Sequence, residues 1–385
     1  MKNSLSKYVA IVGAAESDLG KVPGMSALEL QAQAAHRALK DAGLSLKDVD
    51  GVFAHTDDRM SSLQLSEYLN IRPSYVDSTN VGGMSNVLHI RHAIAAISAG
   101  MCSVALITYG STQLSSSTRK VGGAFDDPRS PAGQFIAPYG QLSPIGYYAM
   151  VANLHMNRYG TTSEQLAEVA VAARKWAQLN PKAYRQEPLT IDDVLNSPMV
   201  ADPLHTRDIC LVTDAGGAII LTSAERAKDL KRPPVYVLGI AESFSHHYTP
   251  FSIEDWLDTS VAATAQSALD MAGVKREELD VVQIYDHFTI GVIQALEELG
   301  FCQRGEGGEF VTGGRLAPGG DFPINTSGGG LSYNHPGMFG MLLILEAVHQ
   351  LRKEAGDRQL SRSDIALVHA PGLVFSANST MILGV

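Results

Sequence analysis

One order of landmarks occurs twice along this chain, and that repetition restricts the fold more than any other feature. Ala42-Gly43 followed by Asp48-Val49-Asp50 returns as Ala272-Gly273 followed by Glu278-Leu279-Asp280. A glycine pair opening an apolar helix comes next in each half, at Gly82-Gly83 and at Gly328-Gly329. The apolar run Val104-Ala105-Leu106-Ile107 is matched by Ile365-Ala366-Leu367-Val368, and Ala218-Ile219-Ile220-Leu221 by Thr380-Met381-Ile382-Leu383. The repeat is far longer than the roughly 20–50 residues of a solenoid unit. Two large similar halves predict a pseudo-twofold core with its active site at their junction.

Within each half, strands alternate with helices. Val9-Ala10-Ile11-Val12-Gly13 reads as a buried strand. Ser26 with Glu29 three residues on forms a capping-box signature, Leu28, Ala32, Ala35 and Leu39 mark one helical face, and Gly43 stands where a C-cap glycine belongs. Further strands are expected over 49–54, 235–240 and 279–284, and further helices over 85–99, 260–272 and 342–351. The strand runs show no polar alternation, as in sheets covered on both faces. The halves differ between Gly110 and about His205, where the first carries a long insertion with helical patterns over 147–159 and 163–179. A segment of this length with its own helices reads as a lid or substrate-binding subdomain.

Bulk properties exclude several function classes. The chain has 385 residues, 45% hydrophobic and 18% charged, which is too apolar for disorder. A net charge of −10 gives no electrostatic support to nucleic-acid binding. The chain shows no apolar run long enough for a signal peptide or a membrane span, and Cys102, Cys210 and Cys302 form neither a disulfide framework nor a zinc knuckle. A cytoplasmic location away from membranes is the expectation. Dinucleotide, P-loop, HExxH and GxSxG signatures are missing. His89 and His92 share a helix face, but a third ligand is not near them in sequence, so a metal site is not expected.

Three segments carry the candidate chemistry. They are the 76–83 run ending Asn80-Val81-Gly82-Gly83, the strand end Tyr285-Asp286-His287-Phe288, and the 325–337 run containing Gly328-Gly329-Gly330, Tyr333-Asn334-His335 and Pro336-Gly337. Glycine turns before helices offer backbone N–H groups and a positive dipole end, suited to an oxyanion or enolate. His335 precedes a proline and is expected in extended backbone. Two histidines and two tyrosines at matching edges of the halves make an acid–base set.

These segments resemble the thiolase superfamily, in particular the sterol-carrier-protein-type thiolases, over essentially the whole chain. The strongest stretches are YDHFTIGVIQALEELGF, opening at Tyr285, and NTSGGGLSYNHPGMFGMLLILEAVHQLR, opening at Asn325. The resemblance implies an α/β thiolase fold, two βαβαβαββ halves in a five-layered α-β-α-β-α arrangement. The halves would be residues 1–228, with a loop domain inserted at about 112–205, and residues 229–385. It further implies an acyl-CoA substrate and a homodimer. It also implies a small zinc-ribbon/OB-fold partner, in some relatives fused to a hydratase. Coenzyme A enters as part of the substrate, and a covalently bound cofactor is not implied.

The catalytic pattern departs from the family. Asn80 stands nearest the position of the nucleophilic cysteine, and the family's HDCF motif reads YDHF, so Tyr285 replaces its histidine and His287 its cysteine. The C-terminal CxG motif is replaced by a stretch reading His369-Ala370-Pro371-Gly372, while the HP motif survives as His335-Pro336. Asparagine cannot carry an acyl group. A retro-aldol cleavage of a β-hydroxyacyl-CoA needs no nucleophile, and thiolase-like steroid side-chain aldolases lack the cysteine. That reaction is the leading expectation, with Tyr285 and Tyr333 moving protons and His287 and His335 polarising the thioester or tuning the tyrosines. Asn80, Gly82, Gly83, Gly329 and Gly330 would shape the oxyanion pocket. Arg119 and Lys120 are weak candidates for CoA phosphates. A thiolase-type acetyl-CoA acetyltransferase is the alternative, and a non-catalytic acyl-CoA-binding scaffold the second alternative.

Overall fold

The computed structural model describes residues 5–56, 59–116, 127–140, 144–246 and 254–385. The first half runs β1 (Val9–Glu16), α1 (Ala27–Ala42), β2 (Gly51–Ala54), α2 (Ser61–Tyr68), β3 (Tyr75–Asp77), α3 (Ser85–Ser98) and β4 (Val104–Thr112). Before the half closes come α4 (Pro131–Phe135), α5 (Pro144–Tyr159), α6 (Ser163–Gln178), α7 (Ile191–Leu195) and the small hairpin β5 (Met199–Ala201) and β6 (Leu204–His205). Then follow β7 (Asp214–Ser223) and the short α8 (Ala224–Ala227). The second half runs β8 (Val235–Phe244), α9 (Val261–Ala272), β9 (Val281–Ile284), α10 (Thr289–Glu298), α11 (Gly307–Phe310), a π-helical turn at Gly329–Tyr333, α12 (Gly340–Leu351), β10 (Ile365–Pro371) and β11 (Ala377–Gly384).

Sheet order makes the repeat concrete. Among the described residues the strands lie in the order β3-β2-β4-β7-β1-β8-β11-β10-β9. Counting outward from the β1–β8 junction, β7, β4 and β2 are mirrored by β11, β10 and β9. Both sides show antiparallel, antiparallel, then parallel pairing. Among the described residues the ladder between the halves pairs Ala10 with Tyr236 and Ile11 with Val235, and the Lys7 N–H reaches the Val237 carbonyl at 2.9 Å.

Alternate residues of each strand feed different cores. Ala10 and Val12 of β1 pack with Ala34, Ala35 and Ala38 of α1, while Val9 and Ile11 join a second core shared with α3 and α12. In β10, Ala366 and Val368 face that second core and Leu367 faces a third, which includes α9 and α10. Helices α3 and α12 pack against each other and each reaches strands of both halves. The stack is therefore α1, first sheet half, α3 with α12, second sheet half, α9 with α10: the five expected layers. Both inner helices are buried around most of their circumference, the pattern of a helix with protein on every side.

Local signals set the helix ends where the sequence places them. Ser26 and Glu29 form the reciprocal capping box of α1, and Gly43 ends it in the left-handed region at φ 74°. Thr162 and Gln165 box the start of α6, and Gly273 ends α9 at φ 67°. Helices α5 and α6 of the insertion pack on α10, and α6 also lies against the π-helical turn. The insertion thus covers the strand end that carries the tyrosine–histidine motif. Among the described residues no helix is long and apolar enough to cross a membrane.

Candidate active site

Strand β9 ends by pairing one residue beyond its formal limit, with the Tyr285 N–H bonded to the His369 carbonyl at 3.1 Å. Asn325 fixes the same edge, its side chain bridging the N–H and the carbonyl of Ile284 at 2.8 Å each. From there Tyr285 turns into the inner layer, 5% exposed. Its hydroxyl receives the Phe339 N–H at 3.0 Å and lies 3.1 Å from His335 Nε2. The sequence reading places His335 in non-helical backbone, and it is so, but it is also buried. Its N–H is held by the Thr213 hydroxyl at 3.0 Å.

The first half reaches this pair through glycine. A Cβ on Gly83 would stand 2.5 Å from Tyr285 Cε2 and 2.9 Å from the Pro371 carbonyl oxygen, so only a hydrogen fits there. A Cβ on Gly340 would stand 2.4 Å from the Gly83 oxygen, which closes the α3 and α12 starts on each other. The glycine corner before α3 thus lies directly on the tyrosine ring. Gly82 adopts φ 77°, and its N–H bonds the Asn80 side-chain oxygen at 3.2 Å. Asn80, which the resemblance sets nearest the family's nucleophile, is exposed.

Three expectations need revision. The turn at 328–330 does not open α12 directly: Gly329–Tyr333 form a separate π-helical turn, and 334–339 intervene. Its N–H groups are also committed, because the buried Asp286 carboxyl accepts from Gly330 at 2.6 Å and from Leu331 at 3.2 Å. Gly330 and Leu331 therefore hold Asp286, and the Gly329 N–H bonds the Ser327 hydroxyl at 3.3 Å, so these N–H groups are not presented to an oxyanion. Burial pushes that carboxyl up to about 7, with the backbone donors opposing the rise. Tyr333, expected beside Tyr285 as a second proton carrier, instead donates its hydroxyl to Glu16 at 3.0 Å.

His287 lies on the other side of Tyr285, their ring centroids 5.2 Å apart, with Tyr148 edge-on at 4.4 Å. Its Nδ1 is 3.4 Å from the Tyr285 carbonyl oxygen, and its Nε2 is buried without a protein partner. The electrostatics of the site favour neutral groups. Burial raises the Tyr285 hydroxyl well above the usual tyrosine value, and burial lowers His287 to about 3 and His369 to about 4. Burial thus favours a protonated Tyr285 hydroxyl and uncharged His287 and His369 imidazoles.

Sequence reasoning sets the cysteines aside, and one of them lies in the site. Cys210 is buried, its N–H bonds the His287 carbonyl at 3.0 Å, and its thiol adds to the rise of Tyr285. The signal was the four-residue approach to β7, which runs between the two motifs: the Leu211 N–H bonds the Gly330 carbonyl and the Thr213 N–H the His335 carbonyl. Burial raises the Cys102 thiol to about 11, at a strand start away from Tyr285. His92 pairs with Asp77 at 2.5 Å, and among the described residues no three metal-ligating side chains gather to hold an ion. Arg119 and Lys120 lie outside the described residues.

Comparison with known proteins finds similar chains over nearly the whole length. Residues 242–385 match the family model "Thiolase C-terminal domain-like". The chain is 32% identical to a "Steroid side-chain-cleaving aldolase" of Thermomonospora curvata over 97% of both chains. It is 36% identical to a "17-hydroxy-3-oxo-4-pregnene-20-carboxyl-CoA lyase" of Mycobacterium tuberculosis, over 90% of this chain and 92% of that one. An "Acetyl-CoA acetyltransferase" of Methanothermobacter thermautotrophicus is 32% identical over 94% and 96% of the two chains. The solved "Ltp2-ChsH2(DUF35) aldolase" superposes with a TM-score of 0.90 at 32% identity, covering 99% of this chain and 98% of that one.

Proposed function

Because the chain belongs to the thiolase superfamily, among sterol-carrier-protein-type thiolase-like proteins without the nucleophilic cysteine, we propose that it cleaves a carbon–carbon bond by a retro-aldol route. The substrate is a β-hydroxyacyl-CoA with a bulky acyl group, of the steroid side-chain class named for its relatives. One observation carries the reading. A neutral, buried tyrosine touches a buried histidine at 3.1 Å, at the corner where the superfamily keeps a thiol and this chain has the exposed Asn80.

The chemistry follows from those groups. His335 accepts the β-hydroxyl proton, and that C–O bond becomes a carbonyl as the Cα–Cβ bond breaks. The electron pair moves onto the thioester as an enolate, and a proton then enters at Cα, so the protons balance. Tyr285 is the donor for that last step, since its raised pKa keeps the proton in place at neutral pH. His335, in contact with the Tyr285 hydroxyl, tunes it and returns its proton. The N-terminus of α3 abuts the tyrosine ring through Gly83, and its dipole favours the enolate charge. Tyr333 positions the segment that carries His335 through its bond to Glu16.

By analogy with the solved aldolase that pairs Ltp2 with ChsH2(DUF35), the working form is taken to include a DUF35 partner. A homodimer, and a hydratase supplying the β-hydroxy ester, belong to the same proposal. The test is incubation of the protein, alone and with such a partner, with β-hydroxyacyl-CoA and β-ketoacyl-CoA esters, followed by mass spectrometry. A ketone or aldehyde with a shorter acyl-CoA, formed without added CoA, is expected. Cleavage of the β-keto ester alone, and only with free CoA, would replace this reading by the acyltransferase one. The archaeal acetyltransferase relative favours that second reading, and a trapped acyl-enzyme would establish it.

A further inference from the structure

Two partners of the Tyr285 hydroxyl belong to one short stretch of the second half, and that stretch is gripped by the first half. His335 Nε2 lies 3.1 Å from the hydroxyl, and the Phe339 N–H donates to it at 3.0 Å. The His335 and Phe339 rings stack at 6.0 Å, and the Tyr285 ring stands edge-on to both. Thr213, just before β7, brackets His335. Its hydroxyl accepts the His335 N–H at 3.0 Å, and its own N–H donates to the His335 carbonyl at 3.2 Å. The next residue is held from β4, where the Tyr109 hydroxyl donates to the Pro336 carbonyl at 2.7 Å. Gly337 follows with φ 91°, and a Cβ on it would stand 2.2 Å from Nε2 of Gln113, the residue after β4. The Met338 sulfur is 3.1 Å from Nε2 of His55, the residue after β2. His55 in turn stacks on the Tyr109 ring, with centroids 5.1 Å apart. Four consecutive residues, 335–338, thus each meet a different side chain of the first half.

We propose that Tyr109 and Thr213 are positioning residues for the carbon–carbon cleavage: with His55 and Gln113 they form a clamp that sets His335 against the Tyr285 hydroxyl. The proposal rests on the retro-aldol reading and adds residues to it. The clamp is needed because 334–339 lie between the π-helical turn and α12, outside any helix or strand. Pro336 has no N–H to anchor it, and Gly337 is free to adopt backbone angles closed to other residues. External bonds must therefore fix the path of this segment. Tyr109 is 5% exposed, so losing its hydroxyl leaves the Pro336 carbonyl without that donor in a buried place. Proton transfer requires the Tyr285–His335 pair to stay within hydrogen-bond reach, and a misplacement of about 1 Å can cost about 10²-fold in rate. The first half, with Asn80 nearest the family's nucleophile, keeps a part in the chemistry by holding a base that the second half supplies.

Tyr109→Phe tests the clamp against Thr222→Val. The control deletes a bond of the same kind at the far end of β7, from the Thr222 hydroxyl to the Ser103 carbonyl at 2.8 Å. In Tyr109→Phe, kcat falls roughly tenfold with KM unchanged, while Thr222→Val keeps the wild-type rate. Added to Tyr285→Phe, Tyr109→Phe costs nothing further, because the partner it aligns is already gone. In the resting protein the 15N shift of His335 Nε2 moves in Tyr109→Phe and stays in Thr222→Val. A wild-type kcat in Tyr109→Phe, additive losses in the double variant, or an unmoved His335 shift overturns the proposal. If the wild type cleaves no carbon–carbon bond, the retro-aldol reading fails while the shift still decides whether the clamp sets His335. Should Tyr109→Phe not fold, Thr213→Val takes its place, with Thr213→Ser beside it. The serine keeps the hydroxyl that receives the His335 N–H and recovers the rate and the shift that the valine loses. Equal rates and equal shifts in those two variants are as fatal.

Discussion

At the scale of single residues, the site separates two tyrosines that look equivalent in sequence. Both are buried and both sit in motifs that flank the junction, yet one hydroxyl meets His335 and the other meets Glu16. Tyr285→Phe removes the proton donor and leaves the Phe339 N–H without its acceptor. Cleavage is expected to fall by about 10²–10⁴-fold in a protein that still folds, measured as kcat on the identified ester. Tyr333→Phe should leave kcat within a few-fold and cost about 1 kcal/mol of stability, read from denaturant unfolding. Equal losses of kcat in the two variants would sink the assignment of roles. Glu16 adds a pH signature. Burial alone would raise its carboxyl, but His349, Lys182 and the bonds from Lys182 and Tyr333 outweigh it and hold it near 2. A carboxyl depressed in the folded state stabilises above its unfolded pKa. That contribution is lost as pH falls from the ordinary glutamate value of about 4.5 towards 2, so acid unfolding in this window should be shallower in Glu16→Gln than in the wild type. A wild-type acid transition unchanged by Glu16→Gln would contradict the pairing.

At the scale of elements, the turn after Asn325 shows what a sequence can and cannot convey. Three glycines announce a backbone that leaves the ordinary regions, and Gly328 and Gly329 do sit at φ 100° and 62°. They do not announce their partner. A Cβ on Gly329 would fall 1.9 Å from the Asp286 carboxyl, so the glycine is there to let a buried carboxyl reach two backbone donors. That partnership spans more than forty residues and has no local pattern. The same holds for Tyr333, whose direction depends on where β1 ends, and for Cys210, placed by a loop that threads between two motifs. Caps, by contrast, are local, and Ser26 with Glu29 and Gly43 were legible because their partners lie within one turn. The strands were legible as apolar runs, although their period of two was hidden: adjacent residues of β1 and β10 serve different cores, and both cores are apolar. The glycine argument carries its own test. Gly329→Ala combines an unfavourable φ with a collision against a buried acid and should destabilise by more than about 2 kcal/mol, whereas Gly24→Ala, with open space at the same sign of φ, should cost about 1 kcal/mol or less. Thermal unfolding of the pair decides it, and equal costs would mean that φ alone sets the penalty.

At the scale of the whole molecule, the duplicated order of landmarks gives the halves, but their mutual dependence comes from the inner layer. Among the described residues the edge pairing between the halves is short, two residue pairs of β1 and β8 with one further bond from Lys7 to Val237, too little to hold two sheets together. What joins them is one core that takes Val9 and Ile11 from the first half, Val235 and Val237 from the second, and the apolar faces of α3 and α12 between them. Each inner helix is therefore solvated by the other half. Removing either half would expose an apolar face of the kind that soluble monomers seldom display. The catalytic pair has the same dependence, since Tyr285 and His335 come from the second half while Gly83 and Thr213, which touch them, come from the first. Residues 229–385 produced alone are accordingly expected to aggregate or to lack fixed tertiary packing, with weak near-ultraviolet dichroism and no cooperative melt. Co-production with residues 1–228 should restore a soluble 1:1 complex, a cooperative transition and carbon–carbon cleavage together. A second half that folds alone as a cooperative monomer would show that the inner layer is not the bond between the halves, and the site would then have to be re-derived from one half only.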